Sequence, residues 1–328
     1  MRVLVVGLGS AGARHLNNLF ALGVKDLLVF RSQNLPPPGN VSGKNFQVFH
    51  NYDEALALRP DAVVIANPTS YHINFSKKAL EAGCHIYIEK PVSHTLDGTD
   101  ELMALADKQK KVVMVGCQLR FHPNLMEIKE WAQKGFIGQI YSVYSDVGEY
   151  LPDWHPWEDY RHGYAARAEL GGGVILTLIH ELDYLFWIFG PIGSVYAMGG
   201  HLTPLEIDVE DTVLISLKTK QGVPVQVRMD YWRNPPSRKM HIVGEKGEIY
   251  WDYYKGEVSL SRKGSIVKQN SLPENWNRNE LFISIMKNFL DSIEGNTIPG
   301  IPLSEGVEVL KIALAAKSAM IQKKVICL

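Results

Sequence analysis

The stretch RVLVVGLGSAG (2–12) decides the fold. Its first half, RVLVVG (2–7), is an aliphatic run with almost no polar alternation, the pattern of a strand buried on both faces of a parallel sheet. Gly7, Gly9 and Gly12 follow as G-x-G-x-x-G and open directly into a helical pattern, AGARHLNNLFALG (11–23). Outward from there the alternation repeats. Strand patterns stand at LLVFRS (27–32), FQVFH (46–50), AVVIA (62–66), HIYIEK (85–90) and VVMVGC (112–117). Helix patterns, SYHINFSKKALEAG (70–83) and HTLDGTDELMALADKQK (94–110), lie between them. Alternating β and α units of this size predict an α/β Rossmann arrangement, a doubly wound parallel sheet with right-handed crossovers.

After about residue 120 the texture changes. A helix pattern, PNLMEIKEWAQKG (123–135), leads to a strand, QIYSVYSDVG (139–148), an aromatic loop at 150–169, and a continuous helix expected over 174–189. From 193 to 270 the chain reads as successive strands with Gly at the turns, which predicts a mostly antiparallel sheet. Helix patterns at 279–294 and 304–322 close the chain. The expected organisation is a dinucleotide-binding Rossmann domain over 1–120 and an α+β domain over 121–328. The second would carry a large, open-faced sheet with helices on one side, for substrate binding and oligomerisation.

Composition agrees with two domains: 328 residues, 46% hydrophobic and 21% charged. A net charge of -1 without a long basic run gives no reason to expect nucleic acid or an anionic membrane as partner. Cys84, Cys117 and Cys327 are odd in number and not in CxxC pairs, so they read as reduced thiols, with neither disulfide framework nor metal site. No apolar run approaches the roughly 20 residues that span a bilayer, and the apolar N-terminus is too short for a signal peptide. A cytoplasmic location is the expectation. The one biased tract is the Pro-rich LPPPG at 35–39.

The glycine motif has a chemical reading in this context. Gly7 permits a tight turn, Gly9 lets the backbone approach a pyrophosphate, and Gly12 lets helix and strand pack closely. The pyrophosphate would meet free N–H groups at the helix start, around Ser10 and Ala11. About 20 residues past such a loop an NAD site usually carries an acidic residue for the ribose 2′-hydroxyl. Here Arg31 and Ser32 stand there. A guanidinium and a hydroxyl suit a 2′-phosphate, which favours NADP(H), with NAD(H) the alternative if Arg31 only stacks on adenine or reaches solvent.

Four features now stand in order: GLGSAG (7–12), ANPTSYH (66–72), EKP (89–91) and GGG…HELD (171–183). Together they resemble the glucose–fructose oxidoreductase / inositol dehydrogenase family, often called Gfo/Idh/MocA. The resemblance extends through VEDTVLISL (209–217), VGEKGEIYWD (243–252) and SEGVEVLKIALAAKSA (304–319). It implies NAD- or NADP-dependent oxidation or reduction of sugars, nucleotide sugars, cyclitols and related compounds. It also implies that Asn67, Pro68 and Thr69, with His72 at the start of the next helix, border the cofactor at its ribose and nicotinamide, and that Glu89, Lys90 and Pro91 sit beside the nicotinamide. Pro91 is often cis in such motifs. Gln118 and Arg120 fall where the family leaves its first domain and touches cofactor or substrate.

The chemistry needs an electrophilic group and a proton carrier. Lys90 ends a strand, where open α/β sheets place their ligands, and an ammonium there can stabilise developing alkoxide charge. A histidine side chain ordinarily titrates near neutral pH, so His180 is the candidate to move the hydroxyl proton, and no metal is needed. Members of the resembled family commonly carry an aspartate four residues before this histidine; here Leu176 occupies that place and Thr177 follows. Asp183, one turn beyond His180, is counted with the substrate-binding candidates; it either orients the imidazole or is a capping or buried hydrogen-bonding carboxylate. Glu181 reads as a solvated or subunit-facing charge.

Substrate contacts are expected from the second domain. His155, Trp157 and Tyr160 lie in a loop whose aromatic density suits either sugar stacking or packing at a boundary. Arg233 and Arg238 flank a Pro-Pro pair and suit either a substrate carboxylate or phosphate, or an interface on the open sheet face. The resulting expectation is a sugar or cyclitol dehydrogenase forming a homodimer or homotetramer. Imine or dihydrodiol redox chemistry, and a non-catalytic cofactor-binding sensor, are the alternatives.

Overall fold

The computed structural model describes residues 1–32, 38–41 and 43–328, so most of the Pro-rich stretch lies outside the described residues. The elements begin with β1 (Arg2–Val6), α1 (Ser10–Ala21), β2 (Asp26–Phe30), β3 (Gln47–Phe49), α2 (Tyr52–Ala57), β4 (Ala62–Ile65), α3 (His72–Glu81), β5 (His85–Ile88), α4 (Thr99–Gln109) and β6 (Val113–Val115). Then come α5 (Pro123–Gln133), β7 (Ile140–Gly148), α6 (Val174–Thr177), α7 (His180–Phe189), β8 (Ile192–Gly200), β9 (Thr212–Thr219) and β10 (Pro224–Asp230). The chain closes with β11 (Ser237–Gly244), β12 (Gly247–Asp252), β13 (Glu257–Arg262), β14 (Ser265–Ser271), α8 (Asn279–Ile293), α9 (Leu303–Gln322) and β15 (Ile326–Cys327).

Two compact units emerge, 1–118 with 278–308, and 119–277 with 309–328. The sequence reading places one boundary at 120 and gives both closing helices to the second domain. Instead α8 belongs to the first unit. Its buried face, with Leu281, Phe282, Ile285, Met286 and Phe289, packs there: Phe282 meets His15 of α1, and Phe289 meets Tyr87 of β5. Amphipathic periodicity shows that a helix covers something, not which sheet it covers.

Among the described residues of the first unit, six strands form a parallel sheet in the order β3-β2-β1-β4-β5-β6. The order reverses between β1 and β4, and such a switch point opens a crevice at the strand carboxyl ends. Val3 to Val6 are wholly buried, each stabilising the fold by about 1.5–3 kcal/mol relative to exposure. The edge strand β3 is the exception to two-sided burial, since Gln47 and Val48 are exposed. Helix α4 starts only at Thr99, after Gly98 at φ 75°, so HTLDG is a loop and not part of the helix.

The second unit carries a nine-stranded sheet among its described residues, in the order β14-β13-β12-β11-β7-β10-β9-β8-β15. All its pairings are antiparallel except β7 with β10. After β7 the chain leaves through the aromatic loop and α7, enters again at β8, and returns by the meander β8–β9–β10, which brings β10 alongside β7 in the same direction. The final strand β15 then pairs outside β8. The continuous helix expected over 174–189 is two helices interrupted at Leu178 and Ile179, and the segments Ala168–Thr177 and His180–Phe189 meet at 49°. Val174, Ile175, Thr177 and Ile179 are β-branched and weaken the helix there. Glu210 caps α6, its carbonyl accepting from the Val174 N–H at 2.9 Å. Among the described residues no single helix is long and apolar enough to cross a membrane.

Candidate active site

In the first unit the glycine loop leaves β1 at the switch point. Gly7 has φ 91°, and a Cβ there would lie 2.8 Å from the Ala66 carbonyl oxygen on the neighbouring strand end. A Cβ on Gly12 would lie 2.0 Å from the Gly7 oxygen, whereas one on Gly9 would meet nothing within 4 Å. Two glycines are therefore required by packing, and the third faces open space. Helix α1 begins at Ser10, and its cap, Gly9, offers no side-chain hydrogen bond to the first-turn N–H groups of Ser10, Ala11 and Gly12. Open room in front of such donors fits a dinucleotide pyrophosphate.

The neighbouring strand ends carry the other residues singled out above. Arg31 and Ser32 follow β2 directly; the Arg31 N–H donates to Phe49 at 3.1 Å, and its carbonyl lies 2.9 Å from His50 Nδ1. After β4, Asn67 and Pro68 are half-buried and Thr69 is buried. His72 opens α3, wholly within the core, with Nδ1 2.8 Å from the Pro91 oxygen and Nε2 2.9 Å from the Asn67 oxygen. Burial pushes this imidazole below its ordinary value, and the carbonyl contacts only partly counter that. The ring thus lies between the loop after β4 and the loop after β5, and in its neutral form donates to one of the two carbonyls.

After β5 come Glu89, half-buried Lys90 and Pro91, with the Lys90–Pro91 bond cis. Glu89 takes a partner that sequence reasoning missed: His15 of α1, whose Nε2 lies 2.6 Å from Glu89 Oε1. Burial pushes the Glu89 carboxyl up, but the His15 bond and the charges of His15, Lys90 and Arg14 outweigh it and hold the group below its ordinary value. The available signal was position: His15 stands one turn beyond Gly12 in α1. Gln118, at the end of this stretch, is buried.

In the second unit α7 is buried on nearly every side, including His180, Glu181 and Asp183. Charges so placed must be paired. Asp183 holds Arg120 through a fork, with contacts of 2.7, 3.0 and 3.1 Å to Nη2 and Nε. Glu181 lies 2.8 Å from Arg238 Nε on β11. Helix α7 therefore sits between the sheet and the segment entering α5. Glu181 is not the solvated or subunit-facing charge expected from sequence, because the apolar surroundings of α7 turn it inward. Arg238 departs from its expected substrate-facing role for the matching reason. Its guanidinium is buried and answered by Glu181, with Glu149 at 3.7 Å, and these carboxylates outweigh burial and raise its pKa. Arg233 likewise pairs with Asp146.

His180 is the first residue of α7 and 5% exposed. Leu176 and Thr177 are buried in α6, so neither position supplies a carboxylate. Of the loop residues, Trp157 is 73% exposed and packs edge-on against His155 at 5.3 Å, and Tyr160 accepts the Glu206 N–H at 3.2 Å. Among the described residues Cys84, Cys117 and Cys327 take part in no disulfide.

Two family models match the chain: the NAD-binding Rossmann fold of an oxidoreductase family over residues 1–117, and the GFO/IDH/MocA C-terminal domain over 125–250. An uncharacterised oxidoreductase of Synechocystis sp. is 30% identical over 267 residues, covering 76% of this chain and 71% of the relative. The myo-inositol 2-dehydrogenase of Thermotoga maritima is 24% identical, covering 99% of this chain and 97% of its own. Among solved structures, the WlbA dehydrogenase of Bordetella pertussis, in complex with NADH and UDP-GlcNAcA, superposes with a TM-score of 0.83 at 22% identity, over 100% of this chain and 98% of that one. The chain belongs to the Gfo/Idh/MocA family of oxidoreductases, with an NAD-binding Rossmann fold in its N-terminal part.

Proposed function

We propose that this protein is an NAD(P)-dependent dehydrogenase or reductase acting on a hydroxyl-bearing carbon of a sugar, sugar derivative or cyclitol, nucleotide-linked or anionic sugars included. The observation that carries the reading is the glycine loop, where open room at Gly9 faces the uncapped first turn of α1. The relatives named for inositol and the neighbour holding a UDP-sugar support the substrate class. When bound, the nicotinamide supplies the hydride acceptor or donor. In this reading Gly7, Gly9, Ser10, Ala11 and Gly12 hold the pyrophosphate, and Asn67, Pro68, Thr69, Glu89, Pro91 and Gln118 border the rest of the cofactor, with His72 supporting two of these loops from behind. Arg31 and Ser32, the first residues beyond β2, favour NADP(H) over NAD(H).

Lys90 is assigned to hold the substrate oxygen and stabilise alkoxide charge, and His180 to accept or return the hydroxyl proton. His155, Trp157 and Tyr160 are the groups offered for sugar contacts. Arg120 serves through its fork with Asp183, which sets the direction of its remaining donors. The outward face of the nine-stranded sheet exposes Tyr144, Met198, Leu214 and Tyr250 among polar side chains such as Arg228 and His241; large exposed side chains so grouped support a homodimer or homotetramer. The missing carboxylate at Leu176 and Thr177 favours one second reading, a cofactor-binding sensor without turnover.

The test follows nicotinamide absorbance with NAD⁺ and NADP⁺ over myo-inositol, free hexoses and UDP-N-acetylglucosamine. Turnover is expected on at least one compound. Lys90→Met should abolish it while changing cofactor affinity by less than about threefold, under 1 kcal/mol. Cofactor binding with no turnover across the panel selects the sensor.

A further inference from the structure

We infer that His15 and Glu89 form a buried positioning pair that sets the backbone of Lys90 and ties it to the phosphate-loop helix, an inference that rests on the role proposed for Lys90. The two oxygens of Glu89 are used separately. Oε1 meets His15 Nε2 at 2.6 Å, and Oε2 accepts the backbone N–H of Lys90 at 3.1 Å. The Glu89 carboxylate is therefore fastened on one side to α1 and on the other to the main chain that carries the lysine. On the far side of the same dipeptide, the Pro91 carbonyl is met by His72 at 2.8 Å, and that ring also reaches the Asn67 carbonyl. The Lys90–Pro91 segment is thus held at its leading N–H by Glu89 and at its trailing carbonyl by His72.

His15 has few other uses in this place. It is wholly buried, its Nδ1 has no hydrogen-bond partner among the described residues, and its ring is set by edge contacts with Tyr87 at 5.0 Å and Phe282 at 6.4 Å. A buried imidazole whose single polar contact is a carboxylate serves that carboxylate. The charged groups facing the pair are Arg14, whose guanidinium lies over the Phe282 ring at 4.2 Å, and Lys90 itself; Tyr87 packs against the imidazole. Because His15 follows Gly12 by one turn on α1, any shift of that helix on pyrophosphate binding passes through Glu89 to Lys90. His15 and Glu89 are positioning residues; the lysine is the group that would touch substrate.

The experiment compares His15→Ala, His15→Gln, Glu89→Gln and Lys90→Met. Cofactor affinity is measured by quenching of protein fluorescence with NADPH and NADH, and turnover on whichever panel compound the wild type uses. In wild type the short imidazole–carboxylate bond should give a slowly exchanging proton resonance downfield of the amide envelope, absent from His15→Ala and His15→Gln. His15→Ala should lower kcat by roughly 10²-fold, the cost of a misplaced group, with KM and cofactor affinity little changed. His15→Gln, which keeps a donor near Nε2, should recover most of the loss. If Lys90→Met is inactive while His15→Ala and Glu89→Gln keep wild-type kcat, the positioning pair is overturned and the role of Lys90 stands. If Lys90→Met keeps turnover, the underlying assignment fails instead. Should His15→Ala not fold, the proton resonance and the kcat of His15→Gln and Glu89→Gln decide; no downfield resonance in wild type overturns the pair.

Discussion

Replacing Asp183 by Ala removes the carboxylate that holds Arg120 with contacts of 2.7 to 3.1 Å. Both side chains are buried, at 3% and 0% exposure, so water cannot replace the lost partner. Breaking a buried pair on one side costs about 3–5 kcal/mol, against about 0–1 kcal/mol for an exposed pair. For a unit of this size that corresponds to a fall in Tm of about 10 °C. All seven tryptophans lie between 131 and 276, inside the second unit, so urea unfolding followed by tryptophan fluorescence reports on that unit. Asp183→Asn, which keeps an acceptor, should lie between wild type and Ala. The double variant Arg120→Met/Asp183→Leu should regain at least about half of the loss, because it removes the stranded charge as well. A cost below about 1 kcal/mol for Asp183→Ala, or strict additivity in the double variant, would refute the claim that a desolvated pair anchors α7.

Gly12→Ala drives a Cβ to 2.0 Å from a backbone oxygen, so it should lower the Tm of the first unit and abolish NADPH and NADH binding together. Gly9→Ala meets nothing in the folded chain; its Tm should stay unchanged while cofactor affinity falls by about tenfold or more, as titration calorimetry would show. Arg31→Ala should weaken NADPH binding by about tenfold and leave NADH within about twofold; equal losses would remove the case for a 2′-phosphate. His122 is buried against Trp251, Tyr253 and Trp276, and burial, with help from Arg238, lowers its pKa to about 3. The neutral form is therefore the folded form, and its contribution to stability is complete above the unfolded value near 6.5. It declines as the pH falls from there toward 3, at up to about 1.4 kcal/mol per unit, because only the unfolded chain takes up the proton. His122 also caps α5, its Nδ1 accepting from the Asn124 N–H at 3.2 Å; His122→Asn, which keeps an acceptor there, should flatten that slope in urea titrations between pH 6.5 and 4.5.

The Rossmann half was legible because buried parallel strands advertise themselves. Val3 to Val6 and Ala62 to Ile65 need apolar side chains on both faces, and the turn after β1 needs glycine where a Cβ would strike Ala66 or Gly7. The meander of the second unit was legible for a similar local reason, alternation broken at glycine turns. Local pattern stops at partners distant in sequence. Glu181 and Asp183 are two acidic residues on one helix, and nothing nearby says that one faces Arg238, 57 positions on, and the other Arg120, 63 positions back. His15 and Glu89, 74 positions apart, are equally silent until β1 and β5 lie in one sheet.

What the sequence by itself determined, then, is a set of features whose physical cause lies within a few residues: burial of the central parallel strands, the glycine turn, and the order of motifs that marks the family. The tertiary structure alone decided which charges are matched. A carboxylate in the core must find a cation or a donor, and only the folded path of the chain specifies which one it meets. The same rule governs the stretch 171–190, where the pairing of the two inward carboxylates of α7 comes from packing between sheet and helix, a constraint no local periodicity contains.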